Sequence, residues 1–303
     1  MSATQAIEIN AVTKSYGDFT AVNNLSLEVV QGSVFGLLGP NGAGKTTTIR
    51  MIVSITFPDK GEVKVFGQKM GPKMQERIGY LPEERGLYKK MKVREQLRFL
   101  AGLKNVPTSE IDKRITDWAE RLQISTWLDK KTEELSKGMQ QKIQFIATIL
   151  HKPELIILDE PFSGLDPVNA NLLIEVIHEL KASGTTVILS THVMEQVEKL
   201  CDDICLINKS QKVLSGNLKS IKRGFSSNKI ALSYEGENQV LTGNELIKKI
   251  AQYASHMEIE LVEGAEPQKL LQQMVNKGVY INRFELMEPS LNEIFIRKVG
   301  KNE

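Results

Sequence analysis

The chain's 303 residues are 41% hydrophobic, enough to bury a large core, and the length suits one large domain or a large domain with a small companion. With 39 Lys and Arg against 37 Asp and Glu, the net charge of +2 makes no case for nucleic acid as a partner, and none is expected. Apolar runs such as "LIIL" at 155–158 fall far short of a bilayer span. "MSATQAIEIN" has no basic patch ahead of an apolar stretch, so a soluble chain without a secretion signal is expected.

In chain order, "AIEINAV", "LSLEVV" and "SVFGLL" read as an early run of strands with an antiparallel look, followed by the helix "KTTTIRMIV" and the strand "EVKVF". From about 92 to 135 the pattern is helical with no strand candidate, as in "VREQLRFLAGL" and "DKRITDWAERLQI"; the helix "GMQQKIQFIATIL" follows. "LIILD", "TTVILS" and "DICLIN" resume as strands, and strands separated by helices predict parallel pairing in an α/β core. Cys201 and Cys205 in "CDDIC" would share one face at helical spacing. No His or further Cys completes a metal set, so two buried thiols of a reduced, cytosolic protein are expected.

"KRGFSSN" at 222–228 is a polar break, after which a smaller pattern begins. "KIALSY" reads as strand, "LIKKIAQYA" as helix, "MEIELVE" as strand, "EPQKLLQQMVNKG" as helix, "VYINRFEL" as strand and "SLNEIFIRKV" as helix. The predicted organisation is therefore a domain at 1–222 with a helical subdomain at about 92–137, and a small α+β domain at 223–303. The fold class is α/β: a mostly parallel sheet with an antiparallel β subdomain, built around the phosphate-binding turn described next.

"SVFGLLGPNGAGKTTTIRMI" is a strand, a glycine-rich turn and a helix start, and Gly39 through Thr46 fits G-x-x-x-x-G-K-[ST] in the context that pattern requires. Backbone N–H groups from 42 to 47 can converge on phosphate oxygens only where side chains do not crowd them, hence Gly39, Gly42 and Gly44 among Pro40, Asn41, Ala43 and Thr47. The helix N-terminus adds partial positive charge. Lys45 would neutralise the β- and γ-phosphates of a nucleotide, and the Thr46 hydroxyl would ligate Mg²⁺. In "LIILDEP" (155–161), Asp159 emerges at the C-terminal edge of a buried strand, where α/β sheets place ligands, and would hold Mg²⁺ through water. Glu160 is placed as the general base for the attacking water.

A second small-residue turn, "LSKGMQQK" (135–142), also opens a helix. Here the chain resembles the ATP-binding subunits of ABC transporters, whose signature motif stands just before such a helix and some twenty residues ahead of the acidic strand. The resemblance covers essentially the whole chain and implies a P-loop NTPase core binding ATP and Mg²⁺. It implies two copies packed head to tail, each signature turn capping the γ-phosphate on its partner's P-loop through Ser136, Gly138 and the helix start with Gln140. "FSGLDP" (162–167) matches the loop whose Asp166 contacts the opposite subunit, and "LSTH" (189–192) puts His192 at the family's switch histidine. "KSYG" (14–17) offers Tyr16 as the ring that stacks on adenine. His151, His178 and His256 have no such context.

Where the family usually places Gln, after the strand in "RIGYLPEERGLYKKM" (77–91), this chain has Glu83. A carboxylate can also ligate Mg²⁺ but adds negative charge beside the γ-phosphate, so a metal-side and coupling role is expected for Glu83. "GYLPEERGLY", "LSKGMQQK" and "MEPSLNEIFIRKVG" resemble the sodium- and drug-export subgroup, with separate ATPase and permease chains and a small C-terminal domain. That implies a homodimer or heterodimer of ATPase subunits on the cytoplasmic face of the cell membrane, held there by a membrane permease on a separate chain. Leu87, Tyr88 and Met91 would suit contact with it. The rival class, soluble ABC-type ATPases acting on ribosomes or nucleic acid, tends to carry two cassettes or a long coiled-coil insertion; this chain has one cassette and no heptad run. A P-loop kinase would have no use for "LSKGMQQK" and "SGLDP".

Overall fold

The computed structural model describes residues 4–84, 86–225, 229–235, 241 and 243–299. Contacts divide the chain into two units, residues 1–218 and 219–303. The first begins with β1 (Gln5–Tyr16), β2 (Phe19–Val30), β3 (Val34–Leu38), α1 (Lys45–Ile52) and β4 (Lys60–Val65). Next come α2 (Pro72–Glu76), β5 (Ile78–Leu81), α3 (Val93–Leu103), α4 (Thr108–Arg121) and α5 (Lys137–Ile149). It closes with β6 (Leu155–Asp159), α6 (Pro167–Ala182), β7 (Thr186–Thr191), α7 (Met194–Leu200), β8 (Asp203–Asn208) and β9 (Gln211–Asn217).

The central sheet has the order β5-β6-β7-β3-β8-β9, parallel except where β9 returns antiparallel along β8. Every residue of β3, β6 and β7 is buried, which is why these segments read as continuous apolar runs: a parallel strand covered on both faces has no wet side to alternate toward. The order β2-β1-β4 forms a separate antiparallel sheet whose first strands do alternate. Ile7, Ile9 and Leu25 from that sheet share one core with Leu37, Ile157 and Ile188 of the central sheet and with Ile49 and Ile52 of α1. The phosphate-binding helix is thereby clamped between two sheets. The stretch 92–135 holds α3 and α4, tied by the Arg98–Asp112 pair at 2.7 and 2.8 Å, and two short 3₁₀ turns. Among the described residues no helix is long and apolar enough to cross a membrane.

The unit boundary falls at 218/219, four positions before the predicted break, because α8 (Leu218–Gly224) runs as helix through Lys222 and Gly224. Residues 226–228 of that break lie outside the described residues. The second unit then contains β10 (Lys229–Glu235), β11 (Ile247–Gln252), β12 (Met257–Leu261), α9 (Pro267–Asn276), β13 (Tyr280–Leu286) and α10 (Leu291–Val299). Its sheet has the order β11-β12-β10-β13, all antiparallel, over a core of Ile230, Leu232, Ile259, Leu261, Leu270 and Met274.

One element differs in kind from its expectation. "LIKKIAQYA" reads as helix but forms β11, paired with β12 through Ile247↔Leu261 and Ile250↔Ile259. A register shift between Ile247 and Lys249 puts both isoleucines opposite inward-facing partners, so a bulged strand imitates the three-residue spacing of a helix. β9 went unread, since "QKVLSGN" is an edge strand with little burial and a glycine near its end. Cys201 and Cys205 do not share a helix: α7 ends at Leu200, Cys201 caps it, and Cys205 lies inside β8. Both are buried, and burial drives both thiols upward, Cys205 to about 12.

Gly79 in β5 passes so close to α5 that a Cβ would strike the Thr148 carbonyl. Gly79→Ala is therefore expected to destabilise the first unit by about 1–3 kcal/mol, read as a lower denaturant midpoint with an unchanged slope.

Candidate nucleotide site

The turn after β3 is shaped by two glycines that no other residue can replace. Gly39 and Gly44 adopt φ of 151° and 111°, and a Cβ on either would run into a backbone carbonyl, that of Ile207 or Ala21. Gly42, at φ 78°, has open space around it. Within the turn the Ala43 N–H donates to Pro40 O at 3.2 Å. Lys45 is buried and folds back on the turn, its Nζ donating to Gly39 O at 2.8 Å and Pro40 O at 3.2 Å. Burial lowers the Lys45 pKa; Glu160, Asp159 and Glu83 oppose the shift. Each of those carboxylates thus faces the lysine closely enough to be felt.

Asp159 ends β6 with 1% exposure, and Thr46 Oγ1 donates to its Oδ2 at 3.0 Å. Its Oδ1 is buried without a well-formed hydrogen bond, and the Ser190 hydroxyl opposite in β7 faces the carboxyl without completing one. An orphaned carboxylate oxygen is costly unless a cation or donor arrives. Burial pushes the Asp159 carboxyl above its ordinary range, the Ser190 and Thr46 hydroxyls partly countering it. This hard-oxygen set fits a divalent cation such as Mg²⁺. Glu160 follows at φ 49°, with its N–H on Ser190 O at 2.9 Å. Its Oε2 accepts from Thr191 Oγ1 at 3.0 Å; its Oε1 faces the His192 ring Nδ1 at 2.7 Å and accepts from the His192 N–H at 3.1 Å.

A cavity of about 410 Å³ lies over the turn. Asn41, Gly42, Gly44, Lys45, Thr46 and Thr47 line it, together with Glu83, Asp159 and Glu160; Gly39, Pro40, Ala43 and His192 are not in the lining. Phe19 and Ala21 of β2 supply its apolar side. Tyr16 is not in that lining; it is half exposed, 5.5 Å from the Lys14 ammonium, and sits opposite Phe19 in the β1–β2 register. Phe19 was missed in the sequence, where an aromatic three residues past Tyr16 in the same hairpin was the available signal.

The second turn is elsewhere. Ser136 is the exposed N-cap of α5, its Oγ accepting from Met139 N at 3.3 Å. Gly138 abuts the "FSGLDP" loop, where a Cβ would come within 2.7 Å of Gly164 O. Gln140 Nε2 donates to Thr132 O and Leu135 O at 3.1 and 3.0 Å, and Asp166 caps α6 by accepting from Asn169 N at 2.9 Å. The Asn169 N–H lowers the Asp166 pKa. None of these four residues lines the cavity of its own chain. A separate groove of about 220 Å³ runs between β5 and α5; Leu87 lines it with Tyr80, Leu100, Leu103 and His151, while Tyr88 is exposed and Met91 half-buried. His151, held by Ile78 O at 3.1 Å, is kept neutral by burial at about 4.

The Asp159 shift has a definite sign. A carboxyl whose folded pKa is raised weakens the fold as pH climbs past the ordinary carboxylate range, and the penalty is complete only above the raised folded pKa. Asp159→Asn should therefore raise the melting midpoint of the nucleotide-free protein by on the order of a few degrees while removing turnover, which calorimetry and an ATPase assay would check together.

Comparison with known proteins agrees with this geometry. Residues 22–163 match the ABC transporter family, and residues 216–299 match the C-terminal domain described as ATP-binding protein DrrA1-3-like. YhaQ of Bacillus subtilis, an ABC transporter ATP-binding protein, is 46% identical over 97% of this chain and 98% of its own. Nod factor export ATP-binding protein I of Rhizobium meliloti is 33% identical over 98% of this chain and 89% of its own. A solved ATP-binding subunit of an ABC transporter superposes with a TM-score of 0.68 at 30% identity, over 73% of this chain and 93% of that one. Cradle, acidic strand end and signature turn together with these likenesses place the chain in the ABC transporter family, as an ATP-hydrolysing subunit.

Proposed function

We propose that this ATPase is the motor of an exporter: two ATP-binding subunits close on two nucleotides and move a separate permease. The observation that carries the reading is the separation of the two turns. Ser136 and Gly138 stand at the N-terminus of α5, a helix end that suits an anion, yet they do not line the cavity over Lys45 in the same chain. A second subunit opposite the first brings that helix end to the γ-phosphate, with Asp166 at the seam. Lys45 transfers its ammonium from the Gly39 and Pro40 carbonyls to the β- and γ-phosphates. Phe19 and Tyr16 offer the rings for adenine.

Thr46, Asp159 and Glu83 would hold Mg²⁺, which when bound neutralises phosphate charge. Glu160 takes a proton from the attacking water, and His192, poised on Glu160 Oε1, turns to the γ-phosphate. Closure energy drives the permease, whose cytoplasmic segment fits the groove of Leu87, Leu100 and Leu103; cleavage reopens the pair. Export follows from the likeness to Nod factor export ATP-binding protein I, and the cytoplasmic face of the membrane follows from the permease.

Glu160→Gln is expected to bind ATP, hydrolyse it at least roughly a hundredfold more slowly, and accumulate as an ATP-dependent dimer in sedimentation. In that background Ser136→Ala with Gly138→Asp should leave the protein monomeric. Wild-type turnover in Glu160→Gln would sink the general-base assignment, and an undiminished dimer in the triple variant would sink the shared site.

A further inference from the structure

Glu160 reaches the cavity from a left-handed backbone position, and its N–H is tied to Ser190 O at 2.9 Å. That tie fixes the main chain only; the glutamate side chain still has three rotatable bonds, and a base must present one oxygen in one direction. Its two oxygens have different keepers. Oε1 accepts from the His192 backbone N–H at 3.1 Å and faces the His192 ring, which is 55% exposed; with the ring turned away, the oxygen's second lone pair is open to water. Oε2 is held by Thr191, which is fully buried at the end of β7 and paired with Leu38, the residue before the phosphate-binding turn.

The Thr191 hydroxyl has no freedom of its own. It accepts from the Val193 N–H at 3.1 Å, so its single proton is left for Glu160 Oε2 at 3.0 Å. Most side-chain hydrogen bonds go to backbone or water; this hydroxyl gives its proton to a carboxylate. We infer that Thr191 is a positioning residue for hydrolysis: its hydroxyl pins Glu160 Oε2, so that Oε1, still on the His192 N–H, is the oxygen presented to water once the His192 ring turns away. The inference rests on Glu160 being the general base, and it adds a member that acts only through Glu160.

The test is a cycle of full-length variants measured for ATP turnover and nucleotide binding. Thr191→Val keeps the shape and removes the donor; kcat should fall about ten- to a hundredfold with the KM for ATP within about twofold. Thr191→Ser restores the donor and should recover turnover to within a few fold. In the Glu160→Gln background, Thr191→Val should cause no further loss, because the group it orients has gone. If Thr191→Val fails to bind nucleotide, Thr191→Ala replaces it under the same criteria. An unchanged kcat, failure of Thr191→Ser to rescue, or an equal loss in the Glu160→Gln background would each overturn the positioning role. Turnover retained by Glu160→Gln itself removes the base reading and this inference with it. Turnover lost there but intact in Thr191→Val removes this inference alone.

Discussion

Two acidic residues in succession at the end of a buried strand set the terms for everything around them. Asp159 is desolvated with one oxygen unmatched, and Glu160 is turned through a left-handed backbone conformation. Both features work against stability in the free protein. They persist because β6 is locked between β5 and β7, and because Thr46, Thr191 and His192 reach in from the flanking elements. The fold supplies rigidity; the site consumes part of it. A carboxylate pair that was comfortable in isolation would have little reason to engage a cation or a phosphate.

The same economy explains how the pieces are distributed. The first turn lies between two sheets that share one core, so the start of α1 cannot drift. The second turn opens α5 and leans on Gly164, which couples the signature helix to the loop leading into α6. Neither turn could serve the other's purpose within one chain, and the spacing between them is what makes a partner necessary in the proposed cycle.

Much of the first unit is legible because its signals are steric. Gly39 and Gly44 announce themselves as positions where any Cβ would collide, and "LIILDEP" shows a strand buried on both faces before its acids emerge. What stayed hidden lacks such a constraint. β9 is an edge strand whose side chains are mostly wet, and β11 carries an irregularity that rewrites its period. Phe19 lines the cavity through a hairpin register at which its spacing from Tyr16 only hints. Thr191 looks like any small polar residue before a histidine; only the direction of its proton, fixed by Val193, distinguishes it.

The hold of Lys45 on the Gly39 and Pro40 carbonyls has a kinetic consequence. A loop gathered around its own ammonium has already surrendered its conformational entropy before any nucleotide approaches. In the proposed cycle, capture amounts to swapping two neutral acceptors for charged ones, a local exchange that orders no new segment. That leaves the meeting and parting of whole subunits as the slow events of the proposed cycle.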